Sequence, residues 1–77
     1  MTPDDKIREI IFFYNQGQFL EVVHKAKEIA QYLAPNIMLF NLIAAAHAEL
    51  KNLDQAIENF HKVLEINPQD AVAYFNI

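Results

Sequence analysis

The chain contains no cysteine, no serine and no tryptophan, and its one glycine and three prolines leave little material for long loops. Without cysteine there are no disulfides, no thiol nucleophile and no thiolate metal site. Without serine, and with Thr2 as the sole threonine close to the chain start, no nucleophile–base–orienter series can be assembled. A single glycine, Gly17, cannot build a phosphate-cradling loop and is better assigned to an interhelical turn. The three histidines, His24, His47 and His61, show no compact metal-ligand spacing, so neither a metal nor a cofactor is expected.

Two further shortages narrow the class. Six Lys and Arg against ten Asp and Glu give a formal charge of −4, and the cations are scattered. Nucleic-acid binding rests on clustered cations that neutralise phosphate, so no nucleic-acid partner is expected. No apolar run approaches the roughly 20 residues that cross a bilayer, and the polar, acidic start Met1-Thr2-Pro3-Asp4-Asp5-Lys6 is unlike a secretory signal. No membrane association and a cytoplasmic location are therefore expected.

What the chain does have is apolar content, 53% over 77 residues, arranged at helical spacing. Thr2, Pro3 and Asp5 carry start signals for a first helix with Ile7, Ile10, Ile11 and Tyr14 on one face. Asn15-Gln16-Gly17-Gln18 reads as a turn. A second helix is expected over about Phe19 to Leu33, with Val22, Val23, Ala26, Ile29 and Ala30 recurring at helical intervals. A third runs from about Ile37 to Leu50, with Phe40, Ile43, Ala44 and His47 along a stripe and Ala44-Ala45-Ala46 permitting close approach. Asn52 and Gln55 form a capping-box pattern ahead of a fourth helix, about Leu53 to Ile66, whose apolar face is Leu53, Ala56, Ile57, Phe60, Val63 and Leu64. Asp70 to Ile77 reads as the start of a fifth.

A shift of 34 residues lays these helices on one another: Phe19 on Leu53, Val22 on Ala56, Val23 on Ile57, Ile29 on Val63, Phe40 on Tyr74 and Ile43 on Ile77. One hairpin cannot bury all its apolar surface, whereas stacked hairpins can. The segment Phe40-Asn41-Leu42-Ile43-Ala44-Ala45-Ala46-His47, followed by Leu53-Asp54-Gln55-Ala56-Ile57-Glu58-Asn59-Phe60 and Val63-Leu64-Glu65-Ile66-Asn67-Pro68, closely resembles a tetratricopeptide repeat. Phe40, Ile43-Ala44, Ala56, Phe60, Val63 and Pro68 carry the likeness, while His47 stands where an aromatic is usual. The resemblance implies an all-α superhelix of stacked antiparallel helix pairs. Residues 1–77 would form one repeat-domain fragment, with a divergent first repeat at 3–36, a strong second at 37–70 and the opening of a third at 71–77. In the first repeat, strict spacing puts Lys6 and Glu9 at apolar positions, which suggests a register adjustment before Gly17. Tyr14-Asn15-Gln16-Gly17-Gln18 and Ala73-Tyr74-Phe75-Asn76-Ile77 also look like repeats that precede bacterial sulfotransferase or glycosyltransferase domains.

In this family the first helix of each hairpin lines a concave surface on which extended peptides lie. The resemblance thus implies Arg8, Ile11, Met38, Asn41, Leu42, Ala45, Glu49, Phe75 and Asn76 as lining residues, and a protein or peptide as partner. Asn41 and Asn76 are suited to a peptide backbone, since an amide both donates and accepts. The cation cluster with which some members grip an acidic terminus is missing. Tyr74, Phe75 and Ile77 would lie uncovered, so a longer parent protein, or a homo-oligomer formed through the C-terminal helix, is expected. The expected role is a non-catalytic interaction scaffold; the alternative is a structural or oligomerisation module of a larger transferase.

Overall fold

The structure is a computed structural model that describes residues 3–33 and 36–69. Its four helices are α1 Pro3–Asn15, α2 Phe19–Ala30, α3 Ile37–Glu49 and α4 Leu53–Ile66. Each packs on the next in chain order, and α1 also touches α3. The result is an all-α stack of two antiparallel hairpins, with α2 against α3 at the junction and the two leading helices side by side. The expected Thr2 cap and the expected fifth helix over Asp70 to Ile77 lie outside the described residues.

The repeat is written in the backbone. Thirty-four residues separate Pro3 from Ile37, Asn15 from Glu49, and Phe19 from Leu53. Both hairpins turn through the same hydrogen-bond pattern. After α1, the Gly17 N–H donates to the Tyr14 carbonyl and the Gln18 N–H to the Phe13 carbonyl, both at 3.0 Å. After α3, the Lys51 N–H donates to the Ala48 carbonyl at 3.0 Å and the Asn52 N–H to the His47 carbonyl at 2.8 Å. This paired arrangement satisfies carbonyls that a helix end otherwise leaves open, and it requires a left-handed residue just past the helix. Gly17 and Lys51 supply it, with φ of 76° and 66°.

That correspondence removes the expected register adjustment in the first repeat. No residue is gained or lost between the two hairpins; Glu9 and Ile43 differ because their surroundings differ. Ile43 is covered by α2, whereas the Glu9 carboxylate reaches partly exposed Lys25 Nζ at 3.5 Å. The same ammonium sits 5.2 Å from the Phe13 ring centroid, so one lysine neutralises Glu9 and covers an aromatic. Lys6, the other polar residue at an apolar repeat position, is exposed.

The core has two parts. Ile10, Val22, Val23, Ala26, Leu39, Ile43 and Ala46 join α1, α2 and α3. Ala44, Ala56, Phe60 and Val63 close α4 onto α3. Ala44 and Ala46 are fully buried, on adjacent faces of one helix, so α3 can approach α2 and α4 closely without a side chain longer than a methyl at either position.

Three local expectations are corrected. The helix α2 stops at Ala30 rather than Leu33; Gln31 to Leu33 form a turn in which the Tyr32 and Leu33 N–H groups both donate to the Ile29 carbonyl. Asn52 makes no side-chain cap to α4, because it belongs to the preceding turn and its amide faces His47 instead. The side-chain cap that does form is at α3, where Asn36 Oδ1 accepts from the Leu39 N–H at 3.0 Å. Finally, Leu53 and Ile57 on the expected apolar face of α4 are exposed, at 60% and 38%. Their counterparts Phe19 and Val23 pack into the α1–α2–α3 core. No described helix lies on the corresponding side of α4.

Candidate peptide-binding face

The two leading helices, α1 and α3, form the wall on which the expected lining residues can be placed. Arg8 and Leu42 occupy the same repeat position one hairpin apart, as do Ile11 and Ala45. Arg8 is exposed and pairs with Asp5 at 3.7 Å. Ile11 and Ala45 are half-buried, Met38 is exposed, and Leu42 packs against the first core cluster. Asn41, Ala45 and Glu49 follow one another at four-residue intervals, which places them on one stripe of α3. Phe75 and Asn76, like the association candidates Tyr74 and Ile77, lie outside the described residues.

Asn41 is the unusual member of this stripe. Its Oδ1 is buried and has no hydrogen-bond partner. A buried acceptor left unpaired costs about 1–3 kcal/mol. The same position on α1 is Ile7, which is buried. Packing therefore accepts a hydrocarbon at this site, and nothing in the described fold calls for an amide.

Tyr14, which the sequence reading placed on an apolar face, packs against the first core cluster at the end of α1. Its ring is half-buried and meets Phe19 edge-on, with centroids 5.2 Å apart. Burial pushes the phenol above its ordinary pKa, and the negative charge of Glu49 pushes it further the same way. The signal available in the sequence was the 35-residue spacing, which at a 34-residue repeat sets Tyr14 and Glu49 at adjoining positions of neighbouring leading helices.

His47 lies at the other side of α3. It is 4% exposed, and its Nδ1 is 3.4 Å from Asn52 Nδ2. Burial holds the imidazole below its usual pKa, and the Lys27 ammonium on α2 adds to that. It serves as a packing residue in the position that Phe13 fills in the first hairpin. His24 and His61 are exposed, as expected of solvated helix faces, and so are Glu49, Asp54, Glu58 and Glu65.

Among the described residues, no group of three or more His, Asp or Glu side chains gathers to hold a metal ion. No described helix is long and apolar enough to cross a membrane. An open depression between α1 and α2 is lined by Lys6, Glu9, Ile10, Lys25, Glu28 and Ile29, but its Glu9 and Lys25 already face each other.

Comparison with known proteins reaches one segment of the chain. No curated protein and no solved structure matches it, and nothing found links it to sulfotransferases or glycosyltransferases. Residues 38–70 match the family model of the tetratricopeptide repeat. With α3 from Met38 onward, the Lys51 turn and α4 inside that match, residues 38–70 of this all-α stack carry a tetratricopeptide repeat motif.

Proposed function

We propose that the chain is a non-catalytic protein-interaction scaffold whose α1–α3 wall holds an extended peptide segment. The observation that carries this reading is the unpartnered Oδ1 of Asn41. Natural folds pair their buried polar atoms, and an exception that costs stability points to a role outside the fold. A peptide N–H is the natural donor to such an acceptor once the half-buried Asn41 side chain turns toward the wall, and it asks for no particular side chain. Met38, Ile11 and Ala45 around it supply apolar contact, while Leu42 anchors the stripe to the core. Asn41→Ala should abolish peptide binding with the helical circular-dichroism signal intact, and Asn41→Ala combined with Asn76→Ala tests the full expected pair. Undiminished binding in both variants would rule the wall out.

A second reading is favoured by the uncovered side of α4. Leu53 and Ile57 are exposed where the first hairpin is sealed by a following helix. Stacking of a further helical element, or of a second copy through Tyr74, Phe75 and Ile77, would remove this surface from water. Sedimentation across a wide concentration range separates the outcomes: self-association gives a rising mass, and a constant monomer rejects it.

A further inference from the structure

We propose that the leading face of the first hairpin is the closed end of the helical stack, a solvated face on which neither a further hairpin nor a second copy of the chain packs. The inference goes beyond the peptide-binding reading and does not depend on it. It rests on the junction that the chain itself contains, where α3 stacks on the first hairpin.

Five residues of α3 make that junction. Leu39, Ile43 and Ala46 are buried in the cluster shared with α1 and α2, and Leu42 and Leu50 pack against it. Thirty-four residues earlier, Leu39 becomes Asp5, Leu42 becomes Arg8 and Ile43 becomes Glu9, while Phe12 and Gln16 stand for Ala46 and Leu50. A face that is hydrocarbon throughout on α3 is therefore charged or polar on α1 everywhere except at Phe12.

These charges hold one another. The Arg8 guanidinium lies 3.7 Å from Asp5 Oδ1, and Glu9 Oε1 lies 3.5 Å from Lys25 Nζ on α2. Lys6 and Glu28 add one further charge of each sign around the open depression that Glu9 and Lys25 line. The apolar exception, Phe12, rests edge-on against Phe13 with ring centroids 5.8 Å apart. In water such ion pairs cost little, since each charge keeps most of its hydration. Beneath an apolar helix the same side chains would lose that hydration, and the attraction within a pair seldom repays the loss. The penalty falls on any apolar neighbour, whichever chain supplies it.

The opposite end of the stack is built the other way. Leu53 and Ile57, the counterparts of Phe19 and Val23, are apolar and exposed. A head-to-tail contact between copies would set them against Asp5, Arg8 and Glu9, so the chain does not string into filaments through its repeat junction. Open-ended growth needs two different faces that fit each other, and closing one of them is enough to stop it.

The test is sedimentation of the full 77-residue chain across a wide concentration range, beside a variant carrying Asp5→Leu, Arg8→Leu and Glu9→Ile. The variant copies onto α1 the residues that α3 uses at the internal junction. The wild-type chain should form nothing larger than two copies. The variant should self-associate at least about 10-fold more tightly, because its leading face now offers three side chains for burial. Glu9→Ile alone should shift association the same way by less. A helical circular-dichroism signal at low concentration shows that the variant folds. Wild-type species larger than two copies would overturn the inference, and so would a folded triple variant that sediments like the wild type. No arm alters Asn41, so the peptide-binding reading stands or falls on its own measurement.

Discussion

Gly17 and Lys51 stand 34 residues apart and hold the same left-handed backbone, one at a residue built for it and one at a residue that is not. For Lys51 the Cβ crowds the following carbonyl, a penalty that glycine escapes. Lys51→Gly should therefore stabilise the chain by about 0.5–1 kcal/mol after allowing for the looser unfolded state. Gly17→Ala should destabilise it by about 1 kcal/mol; a Cβ there meets nothing within 4 Å, so that cost is conformational. Urea midpoints at constant slope measure both.

The fully buried residues set the scale of packing effects. Ile10→Ala removes a fully buried side chain from the α1–α2–α3 cluster and should cost about 2–4 kcal/mol. Ala44→Leu acts in the opposite sense, forcing volume into the α3–α4 contact, and should cost about 1–3 kcal/mol. A domain of this size has roughly 4–12 kcal/mol in all, so Ile10→Ala should lower the thermal midpoint sharply while leaving the unfolding transition single.

His47 makes stability depend on pH in a defined direction. Its folded pKa lies below that of the unfolded chain, so between the two values the unfolded state binds more protons. The contribution of neutral His47 is complete above about pH 6.5, the unfolded value, and declines as pH falls from there toward the folded pKa. Replacement by the residue of the first hairpin, His47→Phe, should flatten this part of the profile. Denaturation midpoints from pH 8 to pH 5 in both proteins provide the comparison; an unchanged slope in His47→Phe would exclude the assignment.

Asn41 should separate stability from function. Asn41→Leu removes an unpaired buried acceptor and copies the hydrocarbon character of Ile7, so the fold should be unchanged or gain up to about 1 kcal/mol. The same variant should lose peptide binding. Loss of both together would mean that the amide serves the fold.

Much of this architecture was legible because helical spacing and the 34-residue offset each depend on apolar residues that the core in fact buries, such as Val22, Ala26, Ala56, Phe60 and Val63. Where the reading failed, the cause was surroundings rather than spacing. Glu9 looked misregistered because its counterpart Ile43 sits under α2, and spacing alone does not say that Lys25 will cover a carboxylate. Asn52 looked like a cap because the pattern ahead of α4 is that of a capping box, yet the same residue completes the turn after α3. Leu53 and Ile57 repeat Phe19 and Val23 faithfully, but a residue's pattern does not record which neighbours cover it. On the wall, the stripe of Asn41, Ala45 and Glu49 followed from the repeat, whereas the buried state of a single amide oxygen and the raised pKa of Tyr14 depend on side-chain placement across two helices.

The central claim is that α1 and α3 together form the wall that receives a peptide. Amide chemical shifts of the 77-residue chain, followed during titration with a peptide recovered from a displayed random library, test it most directly. The account predicts changes gathered at Ile11, Met38, Asn41, Ala45 and Glu49, with His24 on α2 and His61 on α4 unmoved. Changes concentrated at His24, His61 and their neighbours, with the α1–α3 stripe silent, would contradict it.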